Sequence, residues 1–473
     1  MRSARIGTAG DIAAIHRRFR AAGTALMRAN LNNTHSGNIS CRDPQDPERF
    51  WVTASGSQCG NLAARDIVRV RFDDMSCEGS ARPSSEANTH RRVLRLPGVN
   101  ACVHCHSIAG TLLGFESPRE EIFLLRRDSQ TAAPKDRLFQ PVDLWGAGLL
   151  GPVTVGTYKS TVGSTEMEER IPAYLRQAPL TVVAGHGPFA RGESLEECLH
   201  HVSVLENSAA AVIALQRRGV DTLAIQRAIR AHGAQASLPL APRRLGCADL
   251  LPDPEADAAA RPDFDYWLSY HFNFGLGAFG TGSMSRKLSA EEMLFCPMSA
   301  APDGVEVPIF RIPLRAGDPE AADVRLHRII YTLTPFAACI LASSPLATAE
   351  GMAALAAADG AGEPTGTSSP ITRAPDRHPT VIPIDAEAAH YNVRLPVAGL
   401  DALASGPGEN PLPGMLRFGN GGCIIAGGGV IAAGENLDQA AYRVSLAERI
   451  ARFRHEVGLN HRILGGPAVS AFE

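Results

Sequence analysis

The chain has no surplus of charge, no long apolar run and no cysteine framework, and each absence removes a class of function. Its 46 Lys and Arg against 49 Asp and Glu leave a net charge of −3. That is too little to draw nucleic acid or an anionic membrane, and no basic stripe stands out. No segment offers about 18 uninterrupted apolar residues, and the basic N-terminus lacks a signal-peptide h-region, so a cytoplasmic location without a membrane span is expected. The ten cysteines stand singly among apolar residues, as at Cys339 and Cys423. This is the pattern of reduced core residues, and no structural disulfide is expected.

What is present is a soluble, globular composition, 45% apolar and 20% charged, in a chain of 473 residues. That length suits two domains of about 200 residues each. Apolar residues at Ile12, Ile15, Phe19, Ala22 and Leu26 predict an amphipathic helix over 11–27. Strands are expected at 37–40, 50–53, 101–107 and 181–184. A helix opens at Ser84-Ser85-Glu86 and stops before Pro97, and Ser194-Leu195-Glu196-Glu197 caps a long one. Intermingled strands and helices indicate an α/β layered fold. The Ala-, Pro- and charge-rich stretch 236–262 reads as a linker between domains 1–235 and 263–473. Residues 356–379, rich in Gly, Pro, Thr and Ser, read as an insertion in the second domain.

The two halves are copies. Thr89-His90-Arg91-Arg92 followed by Ala101-Cys102-Val103-His104-Cys105-His106 answers to Leu326-His327-Arg328-Ile329 followed by Ala338-Cys339-Ile340-Leu341-Ala342-Ser343, with equal spacing. Val182-Val183-Ala184-Gly185-His186-Gly187 answers to Ile424-Ile425-Ala426-Gly427-Gly428-Gly429. In this register His104, His106 and His186 become Leu341, Ser343 and Gly428. Glu86 becomes Asp323, and Gly37-Asn38-Ile39-Ser40 becomes Gly282-Ser283-Met284-Ser285.

That joint loss carries the chemistry. Residues two apart on a strand face one side, so His104 and His106 project together, and His186 at a glycine turn brings a third imidazole. Three protein nitrogens with an open position is the plan of a catalytic zinc site, with Glu86 as a fourth ligand or general base. Core-filling histidines have no reason to vanish together. Cys102-Val103-His104-Cys105-His106 also matches the C-x-x-C-H haem pattern, but no export signal accompanies it. Gly37-Asn38, Ser55-Gly56 and Ser84-Ser85 offer backbone N–H groups and hydroxyls to an anion, or serve as ordinary turns and caps.

Taken in order, Ser36-Gly37-Asn38-Ile39-Ser40, Val52-Thr53-Ala54-Ser55-Gly56, Pro83-Ser84-Ser85-Glu86, His104-Cys105-His106 and Gly185-His186-Gly187 resemble the class II aldolase/adducin family. Its members include fuculose-phosphate and rhamnulose-phosphate aldolases and ribulose-phosphate 4-epimerase. The resemblance implies two tandem three-layer α/β/α domains, each with a central mixed, largely antiparallel sheet. It implies Zn2+, or another divalent ion such as Mn2+, on His104, His106 and His186. Glu86 becomes the acid/base that alternates with metal ligation, and Asn38, Ser55, Gly56, Ser84 and Ser85 hold a substrate phosphate. A zinc-dependent aldolase acting on a sugar phosphate or similar anionic hydroxy-carbonyl is the leading expectation. An epimerase, decarboxylase or dehydratase comes next, and a non-catalytic adducin-like binding protein is the alternative from another class.

Fuculose-phosphate aldolase places a tyrosine roughly 40 residues before its third histidine and donates it across a subunit boundary. Here the first domain reads Val142-Asp143-Leu144-Trp145, while the second reads His390-Tyr391-Asn392. The resemblance thus implies a homo-oligomer, two chains forming a pseudo-tetrameric ring of four domains, with Tyr391 completing a neighbour's zinc site. The charged loop from Phe115 to Leu138 is expected over that site.

Overall fold

The computed structural model describes residues 9–77, 79–115, 136–222, 225, 254–298, 309–315, 322–358, 371–373, 378–390, 393–403 and 405–464. The chain divides into two compact units, one containing Met1–Gln140 and Leu150–Glu206, the other Pro141–Leu149, Asn207–Ser299 and Glu306–Glu473. The helix Pro254–Asn273 begins inside the stretch 236–262 read as linker. Its Ala- and charge-rich start gave no periodicity to see. Tyr391, most of the 115–138 loop and most of 356–379 lie outside the described residues.

The first unit opens with helix α1 (Ala9–Arg28), whose Phe19, Ala22 and Leu26 are buried at the spacing of one helical face. Its sheet comprises β1 (Asn38–Arg42), β2 (Arg49–Thr53), β3 (Ile67–Arg71), β4 (Ala101–His104), β5 (Arg137–Phe139), β6 (Val153–Gly156), β7 (Leu180–Val183) and β8 (Gly187–Gly192). The strands lie in the order β3-β2-β1-β4-β8-β7-β6-β5. All pairings are antiparallel except β6 with β7. Helix α2 (Ala87–Leu94) starts after Glu86 and ends before Pro97, where helix propagation stops. After β4 comes the short helix α3 (Ile108–Leu112). A core of Phe50, Val52, Val93, Leu94, Met167, Ile171 and Phe189 packs α2 and the helix Thr165–Leu175 onto the sheet.

The second unit repeats the plan. Strands β9 (Ser283–Lys287), β10 (Glu292–Pro297), β11 (Phe310–Pro313), β12 (Ala338–Ala342), β13 (Ile371–Arg373), β14 (Pro379–Val381), β15 (Leu395–Ala398), β16 (Gly422–Ile425) and β17 (Gly429–Gly434) lie in the order β11-β10-β9-β12-β17-β16-β15-β14-β13. Apart from the extra edge strand β13, this is the first sheet again. Strand pairing fixes the repeat register: Asn38 sits opposite His104 and Ser283 opposite Leu341, while His104 faces Phe189 and Leu341 faces Ile431.

The expected cysteine chemistry holds among the described residues, all nine of which are free. Cys102 and Cys105 are fully buried, and burial pushes both thiols up, so neither is accessible for covalent haem attachment. The helix Leu195–Arg217 is long and apolar enough to cross a membrane, but most of it is buried inside the protein.

Candidate metal centre

Strand β4 ends at His104, so His106 is not on it, contrary to the strand expected over 101–107. Ladder pairing stops after Cys105 N–H donates to Pro188 C=O, and the chain turns at Ser107 into α3. The turn nonetheless leaves His106 Nε2 3.1 Å from His104 Nε2, and His186 Nε2 lies 3.3 Å from the same atom. His104 Nδ1 donates to Pro188 C=O at 2.9 Å, which fixes the tautomer and leaves a bare Nε2 lone pair at the centre of the cluster. The His104 ring stacks on Phe189 with centroids 4.0 Å apart, locking its plane.

Electrostatics keep the three imidazoles neutral. Burial lowers His104 and His106, and burial joined by the neighbouring His104 ring pulls His186 down to about 3. Neutral imidazole is the metal-binding form. Glu86 stands beside them at the start of α2, buried, with Oε2 3.6 Å from His104 Nε2 and Oε1 4.0 Å from His186 Nδ1. Asn38 Nδ2 donates to Glu86 Oε2 at 2.7 Å. Burial raises the Glu86 carboxyl above the ordinary range, opposed first by the Asn38 hydrogen bond and then by His186 and His106.

Two observations test whether a cation fits. Glu86 Oε1 is buried and without a hydrogen-bond partner, a costly state that a cation beside it would relieve. Nitrogens held roughly 2.0–2.1 Å from a tetrahedral ion lie about 3.3 Å apart, which the two measured separations of 3.1 and 3.3 Å approach. The residues fit a divalent metal.

The anion-binding candidates converge only partly. The Ala54–Pro83 bridge, with Ser84 N–H donating to Thr53 C=O and Ser55 N–H to Arg82 C=O, lays 53–56 alongside 82–85. Ser55, Gly56 and Ser85 are exposed there, and Gly56 at φ +75 has open space where a side chain would stand. Ser84 is instead buried, its Oγ accepting from Glu86 N–H at 3.2 Å, so it anchors the turn that carries Glu86. Asn38 is likewise buried against Glu86, with its Oδ1 unpaired.

Sequence reading missed Asn32 and Phe189. Asn32 Oδ1 accepts the His106 backbone N–H at 3.3 Å while its Nδ2 donates to Ser36 C=O, tying the β4 end to the Gly37 turn. In the second unit Ser343, at the His106 position, does this work with its own side chain, through Thr281 and the Ala278 N–H. Where residue 106 must commit its ring to the cluster, a separate amide is needed.

The sequence profile of the Class II Aldolase and Adducin N-terminal domain matches residues 17–213 and again 279–455. The chain belongs to this family. It is 27% identical to methylthioribulose-1-phosphate dehydratase of Leptospira biflexa over 177 residues, 36% of this chain and 82% of that one. Against the enzyme of that name from Acidiphilium cryptum it is 29% identical over 206 residues, 42% of this chain and 90% of the relative. Among solved structures it is similar to l-fuculose-1-phosphate aldolase from Thermus thermophilus, at 27% identity and a TM-score of 0.35, covering 43% of this chain and 95% of that one.

Within this class II aldolase-family chain, the second repeat separates architecture from chemistry. Buried Glu206 accepts the Ala109 and Gly110 N–H groups, and Glu448 does the same for Leu346 and Ala347. Ser40 bonds His90 as Ser285 bonds His327. These polar groups survive in both copies, and so belong to the fold. Leu341, Ser343 and Gly428 replace the three histidines, and Ile431 replaces the stacking Phe189. An unligated imidazole at the Leu341 position would be a buried, unpaired polar group costing about 1–3 kcal/mol, so an aliphatic side chain there is the stable outcome.

Proposed function

We propose that the first repeat is a metal-dependent lyase site for a phosphorylated hydroxy-carbonyl compound, and that the second repeat is structural. The observation that carries this is the buried Glu86 carboxylate beside three convergent, neutral imidazoles. A divalent ion, zinc or manganese, held by His104, His106 and His186, supplies Lewis acidity at the substrate's carbonyl and hydroxyl oxygens. Glu86 takes or returns a proton at the carbon next to the carbonyl, a role suited to a carboxyl whose burial makes it a stronger base. Asn38 holds the carboxylate in line. Ser55, Gly56 and Ser85, with the backbone around Ser84, receive the phosphate.

Two bonds can break after such activation. Cleavage of the C–C bond gives an aldehyde and a smaller carbonyl fragment. Departure of hydroxide from the next carbon, together with the proton Glu86 removes, gives water and a dicarbonyl product. The dehydratase relatives favour the second outcome, and aldol cleavage is the other reading. Incubating the metal-loaded protein separately with methylthioribulose-1-phosphate and fuculose-1-phosphate distinguishes them. Dicarbonyl formation supports dehydration, aldehyde release supports aldol cleavage, and turnover of neither by the metal-loaded protein would count against a lyase.

We further propose Tyr391, supplied by a neighbouring copy, as the hydroxyl acid of this site. Tyr391→Phe is expected to lower turnover about 10²-fold while bound metal is unchanged. Unchanged turnover would end that role.

A further inference from the structure

Strand pairing sets Gly422 of the second repeat against Leu180 of the first. Leu180 pairs with Ala190 as Gly422 pairs with Ala432, and Val155 with Val182 as Val397 with Ile424. The Leu180 side chain is fully buried. Taking such a side chain out of a packed interior leaves a void unless the surroundings collapse into it. In the second unit they have not collapsed. A cavity of about 250 Å³ opens beside Gly422, walled by Val393, Leu395 and Leu446 and by the partly exposed Tyr442.

The polar lining of this cavity differs from the first repeat too. Gln439, Arg443 and Leu446 follow one face of the helix Leu437–Leu464. Hydrogen bonds identify their counterparts. The His201 ring bonds Arg191 C=O at 3.1 Å, and Arg443 Nη1 donates to the equivalent carbonyl of Ala433. Glu197 Oε2 accepts from Glu193 N–H at 2.6 Å, and Gln439 Oε1 from Glu435 N–H at 3.2 Å. A carboxylate and an imidazole that burial keeps neutral have thus become a carboxamide and a guanidinium. One negative charge is lost and one positive charge is gained. Arg443 is half-buried, its guanidinium occupying the space that a Cβ at Gly421 or Gly434 would take. Among the described residues no carboxylate comes within ion-pair distance of it. Glu435 acts on it through space but is exposed, its carboxylate accepting from Gln439 Nε2 at 3.4 Å. Burial lowers the Arg443 pKa, as expected of a cation short of compensation.

An apolar chamber with an uncompensated cation in its wall is complementary to an amphipathic anion. We propose that the second repeat holds a binding site for a small monocarboxylic acid with a phenyl or branched-alkyl body. Its carboxylate lies on Arg443, and its body takes the space that Leu180 fills in the first repeat. Arg443 Nη1 is committed to Ala433 C=O, so the other N–H groups of the guanidinium carry the carboxylate. One guanidinium balances a single negative charge, which favours a carboxylate over a dianionic phosphate. Since a cavity of about 150 Å³ takes benzene, one of about 250 Å³ takes a molecule of roughly ten non-hydrogen atoms. The site lies wholly in the second unit and rests on neither the metal centre nor the lyase reading.

Isothermal titration calorimetry of the metal-loaded full chain tests this, with phenylacetate, which has that size, as the probe. Binding with a Kd on the order of 0.1–1 mM is expected. Phenylacetamide, the uncharged analogue, and the Arg443→Gln variant are each expected to weaken it at least about tenfold. Gly422→Leu installs the first repeat's own residue and is expected to abolish it. A Cβ there meets only Leu395 Cδ2 closely, at 3.0 Å, the end of a flexible side chain, so that variant is expected to keep the wild-type circular dichroism. The His104→Ala, His106→Ala protein is expected to bind phenylacetate as the wild type does, which separates this site from the metal centre. No binding by the wild type overturns the proposal. So does equal affinity for phenylacetamide, binding that survives both Arg443→Gln and Gly422→Leu, or binding lost with the two histidines.

Discussion

Replacing Glu86 by glutamine is expected to lower turnover about 10²- to 10⁴-fold while the protein still binds one equivalent of metal. Glutamine keeps the volume, and its carbonyl oxygen still accepts from Asn38 Nδ2, so the hydrogen bond seen at 2.7 Å survives. What disappears is the proton acceptor. Asn38, His186 and His106 favour the carboxylate, yet burial still makes Glu86 a stronger base than an exposed glutamate. Metal content and turnover are to be measured on the same sample. Retained metal with lost turnover identifies a general acid/base, whereas joint loss identifies a metal ligand. Wild-type turnover in the variant would remove Glu86 from the chemistry.

The double substitution His104→Ala, His106→Ala is expected to abolish metal binding and to lower turnover at least about 10³-fold, the loss of several kcal/mol of Lewis-acid stabilisation. Two of three ligands are removed. The survivor, His186, holds its ring partly exposed at a turn and cannot bind a cation tightly alone. The wild type is expected to hold one equivalent per chain and no more, because Leu341, Ser343 and Gly428 leave the second repeat no ligand at any of the three positions. Thermal unfolding gives an independent readout. A ligand bound only to the folded protein stabilises it by about 2.7 kcal/mol at a hundredfold excess over Kd, so added zinc raises the wild-type Tm and leaves that of the variant unmoved. A variant that still takes up one equivalent would place the metal elsewhere.

Residue type and order alone fixed the repeat, because spacing is preserved between copies even where side chains are not. The His104, His106, His186 and Glu86 set was legible for the same reason. Its loss in one copy set it apart from His90 and His327, which the two copies share. Helix α1 was equally visible, since a buried stripe such as Phe19, Ala22 and Leu26 declares itself every third or fourth residue.

Other features depend on contacts between segments distant in the chain, which periodicity does not encode. The Pro188 carbonyl, eighty-odd positions away in sequence, takes both the Cys105 N–H and the His104 ring proton at the end of β4. The same contact chooses which nitrogen of His104 faces the other two imidazoles. Asn32 becomes part of the site only when the turn before β1 packs against the end of β4. Ser84 looked like a phosphate ligand beside Ser85, and tertiary packing turned it toward Glu86 instead. The sequence by itself determined which residue types stand at the candidate site and that only one repeat carries them all. The tertiary structure decided which atoms of those residues point at one another. Burial and hydrogen-bond direction follow from long-range packing, and corresponding segments of two repeats meet different neighbours.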